Sequence, residues 1–157
     1  MIHNLNLKTL QYKYVDGKSR GEKYIPPSPP SSSLATQMFP EETSSSAQPL
    51  TPYFANCHCG TITYSFLLPS PSLSQHKPII ECACSICTRK AYLLVHPKRS
   101  HVVLHSDAAD LLTSYEFGEK TMIHRFCRVC GSGVLVDYKG DRMGVDVLGV
   151  NVSRSQL

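Results

Sequence analysis

The amino-acid sequence predicts a mainly β domain with few helical turns, preceded by a disordered N-terminal tail. Three observations support this class. The first third of the chain is rich in proline and serine, the remainder consists of short apolar segments separated by turn residues, and seven cysteines lie in closely spaced sets within that second part. Closely spaced cysteines in a small domain are typical of a bound metal.

The tail is predicted from its composition. Residues 24–50 contain six prolines and seven serines. Such a segment cannot bury enough apolar surface to offset the entropy that it would lose on ordering. We therefore expect residues 1–50 to form a disordered tail and residues 51–157 to form a zinc-binding domain. A domain of that size has a modest core and often depends on bound metal for stability.

Short β-strand patterns fill the predicted domain. Residues 61–66 alternate between polar and apolar β-forming side chains directly after the first cysteine pair. Further strands are expected at residues 79–82, 92–96, 102–104, 134–138 and 143–150. Residues 111–117 and 121–126 are expected to pair as a hairpin around Gly118. Residues 106–112 offer the only expected helical turn.

The charge of the chain does not favour a nucleic-acid partner. The formal net charge is +4 with neutral cysteines. Seven thiolates contribute seven negative charges and two zinc ions four positive ones, which lowers the net charge to +1. This excess is too small to indicate binding to a polyanion.

The compartment is inferred from apolar runs and cysteine usage. The sequence has no apolar run of membrane-spanning length, and residues 1–23 lack a secretory apolar segment. We therefore expect a cytoplasmic protein without a membrane partner. Glutathione keeps thiols reduced in that compartment, which favours metal binding over disulfides. The odd number of cysteines also leaves one thiol unpaired in any disulfide framework.

Two outer cysteine pairs are predicted to form one closed metal site. Cys57 and Cys59 are two residues apart, so in an extended segment both side chains point to one face. The tight turn of Cys127-x-x-Cys130 brings two sulfurs to the separation of roughly 3.8 Å that a tetrahedral ion requires. Four thiolates complete a structural zinc site, and this one would close a loop of about seventy residues.

The central trio, Cys82, Cys84 and Cys87, is predicted to hold a second zinc with an open position. Catalytic zinc takes three protein ligands and leaves a fourth place for water or a substrate. Two alternatives remain. A histidine could complete the sphere, the candidates being His96, His101, His105 and His124. Alternatively, Cys84 and Cys87 could join the 127/130 pair as a zinc ribbon, although the thirty-nine intervening residues exceed the usual gap.

Basic residues near the cysteines are candidates for binding an anionic substrate. Arg89, Lys90 and Arg125 could receive substrate carboxylates, and ordinary surface charge is an equally good interpretation. Tyr64 and Tyr92 are expected in the core, because they lie in predicted strands.

Three cysteine motifs, in this order, resemble the glutathione-dependent formaldehyde-activating enzyme family, also called the centromere protein V family. They are CHCGTITY at residues 57–64, CACSICTR at 82–89 and HRFCRVCG at 124–131. Residues 149–152 also look like the last strand of that family. The resemblance covers residues 56–151, about three fifths of the chain.

The resemblance implies a fold, two sites and an activity. The fold is a β-tent (Mss4-like) zinc-binding domain. The structural zinc would be held by Cys57, Cys59, Cys127 and Cys130, and the catalytic zinc by Cys82, Cys84 and Cys87. The implied activity joins glutathione, as co-substrate, to formaldehyde and gives S-hydroxymethylglutathione, which places the enzyme among carbon–sulfur lyases.

The sequence departs from the family pattern in three places. Ala83 stands where many members have histidine, and Lys90-Ala91-Tyr92 where many have a glycine. The chain ends at Leu157, a few residues after the last matched strand, so the domain is expected to be truncated at its C-terminal end.

The departures leave two functional hypotheses. The first is a zinc-dependent carbon–sulfur lyase-like enzyme acting on glutathione or another small thiol and a small aldehyde. The alternative is a non-catalytic, zinc-stabilised module that binds chromatin or a protein, as some members of the family are linked to chromatin and microtubules. The tail, the slight positive charge and Ala83 support this alternative.

The division of the cysteines predicts two zinc ions per chain. Elemental analysis of the purified protein, normalised to protein concentration by amino-acid analysis, should give two equivalents of zinc. One equivalent would contradict the two-site interpretation, because it would leave three or more cysteines without a metal.

Overall fold

Two antiparallel sheets make up the computed structural model, which describes residues 49–69, 79–140 and 146–153. The strands are β1 (Leu50–Asn56), β2 (Thr63–Pro69), β3 (Ile80–Glu81), β4 (Leu93–Val95), β5 (Val102–His105), β6 (Leu112–Tyr115), β7 (Ile123–Cys127), β8 (Gly133–Asp137) and β9 (Leu148–Asn151). One sheet has the order β1-β2-β5 and the other β3-β4-β9-β8-β7-β6. The mainly β prediction is confirmed. Most of the predicted tail lies outside the described residues.

The main core lies between the two sheets. β2 contributes Tyr64, Phe66 and Leu68, and the six-stranded sheet contributes one row of side chains from three neighbouring strands, Val95, Val150 and Leu135. All of these side chains are buried. The prediction that Tyr64 belongs to the core is thus confirmed, and the sheets are held together by burial of apolar surface.

A second, smaller apolar cluster covers the other face of the six-stranded sheet. Its buried members are Cys87, Tyr92, Leu94 and Val136. Cys87 lies on the short helix α1 (Ser85–Lys90), which packs here. Side chains alternate along a strand, so Leu94 and Val136 point away from the main core while Val95 and Leu135 point into it. The predicted burial of Tyr92 is confirmed in this cluster.

Most predicted strands are present, with shifted ends. The hairpin around Gly118 forms, with Leu112 opposite Cys127 and Tyr115 opposite His124. β1 was not predicted, and β2 begins two residues later than expected because the segment between the two strands is a turn. The turn predicted at residues 139–141 and the strand start at 143 lie partly outside the described residues.

The helical prediction is wrong in one respect. Residues 106–112 contain a 3-10 turn, Ser106–Ala109, but the α-helix of the described chain is Ser85–Lys90. The sequence of α1 carries no apolar period long enough to predict a helix. Its first turn forms because Cys84 and Thr88 are joined by a backbone hydrogen bond of 3.0 Å.

An ion-pair network anchors the end of β8. Arg99 donates two hydrogen bonds to the Asp137 carboxylate, at 3.0 and 2.8 Å, and its Nε donates to Asp146 at 2.8 Å. The hydrogen bonds from Arg99 lower the pKa of Asp137, although burial opposes the shift. Because the pKa in the folded state lies below the ordinary value, the pair stabilises the fold at neutral pH and loses this contribution as pH falls through the lowered pKa.

The Asp137→Asn variant should therefore lose about 1 kcal/mol of unfolding free energy at pH 7, a modest value because Arg99 is partly exposed. The difference from wild type should shrink as pH falls below about 4. Urea midpoints at a series of pH values measure it. Glu116→Gln, which removes the same charge from the more exposed pair with Lys139, is the matched control. A constant difference across pH would contradict the assignment to ionised Asp137.

Candidate metal centre

The first cluster joins the two sheets at two similar turns. Cys57 and Cys59 lie in the turn between β1 and β2, whereas Cys127 is the last residue of β7 and Cys130 lies in the turn between β7 and β8. Both turns share a pattern of backbone hydrogen bonds: Cys57 N–H donates to Ile62 at 2.9 Å, and Cys127 N–H donates to Ser132 at 2.9 Å. The expectation that Cys57 and Cys59 lie in an extended segment is wrong, because β1 ends at Asn56.

Glycines make both turns possible. Gly60 and Gly131 each follow a cysteine and have φ values of 76° and 72°, a region that favours glycine. Each glycine is followed by a hydroxyl residue that turns back towards the sulfur. Thr61 Oγ1 lies 3.1 Å from Cys59 Sγ, and Ser132 Oγ lies 3.3 Å from Cys130 Sγ.

The four sulfurs fit a tetrahedral ion. All of them lie within 4.8 Å of one another. Cys59 Sγ is 3.5 Å from Cys57 Sγ and 3.8 Å from Cys127 Sγ. Zinc–sulfur bonds of about 2.3 Å place tetrahedral sulfurs roughly 3.8 Å apart, so the donor set and its spacing suit zinc. The structure brings together the same four cysteines as the sequence grouped; the ion and its structural role stay a prediction.

The protein environment alone does not ionise these thiols uniformly. Burial raises the pKa of Cys57 to about 12, even though the Ile62 N–H donates to its sulfur at 3.3 Å. Burial would also raise the pKa of Cys130, but hydrogen bonds with Ser132 and Cys59 together outweigh it and lower the pKa to about 5. A divalent cation supplies the charge that lets four adjacent sulfurs all bind as thiolates.

The second cysteine cluster lies on the outer face of the six-stranded sheet, the face that is turned away from the main core. The Sγ atoms of Cys82, Cys84 and Cys87 are within 4.8 Å of one another. Cys82 directly follows β3, Cys84 precedes the first residue of α1, and Cys87 is one turn further along the helix. Cys87 is buried, whereas Cys82 and Cys84 are half-buried, so the cluster is open on one side. These are the three cysteines that the sequence set apart.

Electrostatics differ among the three thiols. Burial raises the pKa of Cys87, and the neighbouring thiols raise it further. Burial would also raise the pKa of Cys84, but hydrogen bonds from the N–H groups of Cys87 and Ile86 and from the thiols of Cys87 and Cys82 together outweigh it and lower that pKa. The Cys84 thiol at the start of the helix therefore ionises readily, whereas the Cys87 thiol beside it needs a cation to ionise.

No histidine or carboxylate completes the second cluster within the residues that the structure describes. The four candidate histidines all lie in the described fold, and none has a ring nitrogen within 4.8 Å of all three sulfurs; they are His96, His101, His105 and His124. His96 instead contacts Tyr138, with 2.8 Å between Nε2 and the hydroxyl oxygen. The zinc ribbon is not formed either, because Cys127 and Cys130 group with Cys57 and Cys59.

The basic residues near the clusters have different surroundings. Lys90 donates to the carbonyl oxygen of Gly131 at 3.3 Å, and its Nζ lies 5.2 Å from the centre of the Phe126 ring. It therefore ties α1 to the turn of the first cluster. Arg89 is exposed on α1 and donates to Ser85 O at 2.7 Å. Its role towards a substrate carboxylate, like that of Arg125, stays a prediction.

Several residues that serve the site were not singled out from the sequence. Thr61 was predicted only as part of a strand and Ser132 had no predicted role, although the repeated order Cys-Gly-Thr and Cys-Gly-Ser is a signal for hydroxyls that contact sulfur. Tyr138 packs against the second cluster and had no local motif. Its position depends on strand pairing, which the sequence did not specify residue by residue.

Fold and clusters together define a mainly β protein with two candidate thiolate metal centres, one closed and one open. Residues 52–154 match the model of the glutathione-dependent formaldehyde-activating enzyme family. A crystal structure of a Rhodobacter sphaeroides protein, a structural genomics target, is similar with a TM-score of 0.52 and 28% identity, covering 64% of this chain and 84% of that one. The chain belongs to the glutathione-dependent formaldehyde-activating enzyme family. None of the described helices is long and apolar enough to cross a membrane.

Replacing one cysteine in each cluster should have different consequences. Cys127 is fully buried in the core between the sheets, so Cys127→Ser should remove most of a total stability of about 5–15 kcal/mol and unfold the domain. Cys84 is half-buried on the outer face, so Cys84→Ser should keep the fold. Thermal unfolding followed by circular dichroism measures both. Unfolding of both variants would mean that the second cluster is structural too.

Proposed function

We propose that this protein is a zinc-dependent carbon–sulfur lyase-like enzyme that joins glutathione, or another small thiol, to a small aldehyde. With formaldehyde the product is S-hydroxymethylglutathione. The observation that carries the proposal is the open cluster of Cys82, Cys84 and Cys87, for which the described chain offers no fourth ligand. Family membership supports the same substrates. We place the protein in the cytoplasm, where thiols stay reduced.

The two clusters divide the work in this proposal. The first cluster holds a structural zinc that links the two sheets; its ligands are Cys57, Cys59, Cys127 and Cys130. Cys82, Cys84 and Cys87 hold the other ion from the protein side and leave its outer side to a thiol. A zinc ion there supplies a Lewis-acidic centre that keeps a bound thiol ionised at neutral pH.

The reaction balances without a further co-reactant. The thiol releases its proton to water, its sulfur bonds to the aldehyde carbon, and the carbon–oxygen π bond breaks. The aldehyde oxygen then takes up a proton and becomes a hydroxyl. Ala83 lies between Cys82 and Cys84, so the chain has no imidazole at that position.

Turnover should depend on the open cluster. In exchange NMR with carbon-13 formaldehyde and glutathione, the zinc-loaded wild type should raise the rate of adduct formation above that of the uncatalysed addition. Cys84→Ser should reduce the protein-dependent rate by at least about 100-fold, since it removes one of three ligands. The sample without protein sets the baseline.

The alternative function, a zinc-stabilised module that binds a macromolecule, has a distinct outcome. A wild type that neither accelerates the addition nor binds glutathione by calorimetry would contradict the proposed enzyme. If glutathione binds the wild type and this binding is lost in Cys84→Ser, the result would support the proposed enzyme, because a closed structural centre offers no place for a thiol.

A further inference from the structure

A pair of polar aromatic residues, His96 and Tyr138, lies on the outer face of the six-stranded sheet. Val95, Val150 and Leu135 are neighbours in register and point into the main core. The neighbouring row lies one residue further along each strand, and its side chains must point to the other face because side chains alternate along a strand. That row contains Gly149 and Val136, which are opposite each other.

His96 and Tyr138 meet across this row. His96 follows Val95 at the end of β4, and Tyr138 follows β8. His96 Nε2 lies 2.8 Å from the Tyr138 hydroxyl oxygen, and the rings are stacked with centroids 5.7 Å apart. One hydrogen bond and one ring contact thus fix the orientation of the hydroxyl.

Gly149 makes room for this arrangement. A Cβ atom at position 149 would lie 2.7 Å from the Tyr138 hydroxyl oxygen and 3.4 Å from Cζ of the same ring. A side chain there would displace the ring, so the hydroxyl reaches His96 because β9 has a glycine at this point. The pair is therefore built into the sheet and is not a chance contact of two surface side chains.

Tyr138 also packs against the apolar group on this face of the sheet, whose buried members are Cys87, Tyr92, Leu94 and Val136. Cys82 and Cys84 pack against the same group, so Tyr138 and all three cysteines of the open cluster belong to one packed region. Tyr138 is half-buried, so part of it faces solvent.

Tyr92 offers a direct comparison. It belongs to the same group, but only 2% of it is exposed, and its hydroxyl has no hydrogen-bond partner among the described residues. The Tyr92 hydroxyl oxygen would be 2.2 Å from a Cβ at position 133, so it is pressed against the backbone of Gly133. Of the two tyrosines in this apolar group, Tyr138 is therefore the one whose hydroxyl is held by a hydrogen bond and whose side chain is not fully buried.

We propose that the Tyr138 hydroxyl donates a hydrogen bond to the aldehyde oxygen during the addition, and that His96 is the positioning residue that aims it. This inference rests on the proposed function, because it assigns a residue to the same open site. Tyr138 is a catalytic residue in this account, since its hydroxyl touches the reacting oxygen.

The hydrogen-bond arrangement requires one tautomer of His96. With the proton on Nε2, the imidazole donates to the Tyr138 oxygen, and the hydroxyl hydrogen of Tyr138 is left to point at the substrate. As the sulfur–carbon bond forms, the π electrons of the carbonyl move to its oxygen. The Tyr138 hydrogen bond stabilises this developing charge, and the oxygen then takes a proton from water to replace the one that the thiol released.

The decisive comparison is Tyr138→Phe against Tyr92→Phe in the zinc-loaded protein. Each variant removes one hydroxyl beside Cys87. Tyr138→Phe should lower kcat by about 100-fold while the calorimetric Kd for glutathione and the zinc content stay unchanged. Tyr92→Phe should retain wild-type kcat, because its hydroxyl is buried against Gly133.

Two His96 variants test the positioning role. His96→Gln keeps an N–H donor for Tyr138 and should retain part of the activity, whereas His96→Leu should resemble Tyr138→Phe. Nitrogen-15 NMR of the histidine rings should find His96 in the Nε2–H form in the wild type, with a changed Nε2 shift in Tyr138→Phe. This readout does not depend on turnover.

Several outcomes would overturn the inference. Wild-type kcat in Tyr138→Phe would do so, as would equal losses in both tyrosine variants or an Nδ1–H tautomer of His96. Loss of zinc or of glutathione binding in Tyr138→Phe would assign the residue a structural role instead. Failure of the proposed function is distinguishable, because the wild type itself would then show no turnover, and the inference would fall with it.

Discussion

Four cysteine sulfurs from the two sheets lie together at one point, and the proposed roles of the rest of the structure depend on this junction. One pair closes the β1–β2 turn of the three-stranded sheet and the other closes the β7–β8 turn of the six-stranded sheet. Cys57 and Cys127 are both buried in the main core, so a metal ion bound there would stabilise the same region as the apolar packing. A domain this small has a modest core, and a metal link across about seventy residues would lower the chain entropy of the unfolded state.

The junction also positions the candidate active site. Lys90 connects α1 to the Gly131 turn, so the helix that carries Cys87 is fixed relative to the first cluster. The trio lies on the face of the six-stranded sheet that is turned away from the main core. One face of the sheet can therefore maintain the fold while the other remains open to a ligand. That separation explains how two thiolate clusters in one small domain could serve different roles.

The sequence predicted the metal clusters better than the fold that holds them. Ligand spacing is a local property, so both cysteine groups followed from residue order alone. β1 was missed because residues 50–56 contain Pro52 and no clear alternation, and it is stabilised mainly by pairing with β2. α1 was missed because its six residues have no helical period, and packing of Cys87 on the sheet stabilises it. The His96–Tyr138 pair joins residues 42 positions apart. Only the strand register and the absence of a side chain at Gly149 bring them together.

The central claim is that the second centre has an open position that a thiol fills. Zinc-edge X-ray absorption of the zinc-loaded protein tests it most directly, since it counts the sulfurs around each ion. Four sulfurs at one site and three at the other predict an average of about 3.5 sulfurs per zinc without glutathione and about 4 with it. The lighter oxygen ligand at the second site should disappear on addition of the thiol. A coordination shell that glutathione leaves unchanged would contradict the account.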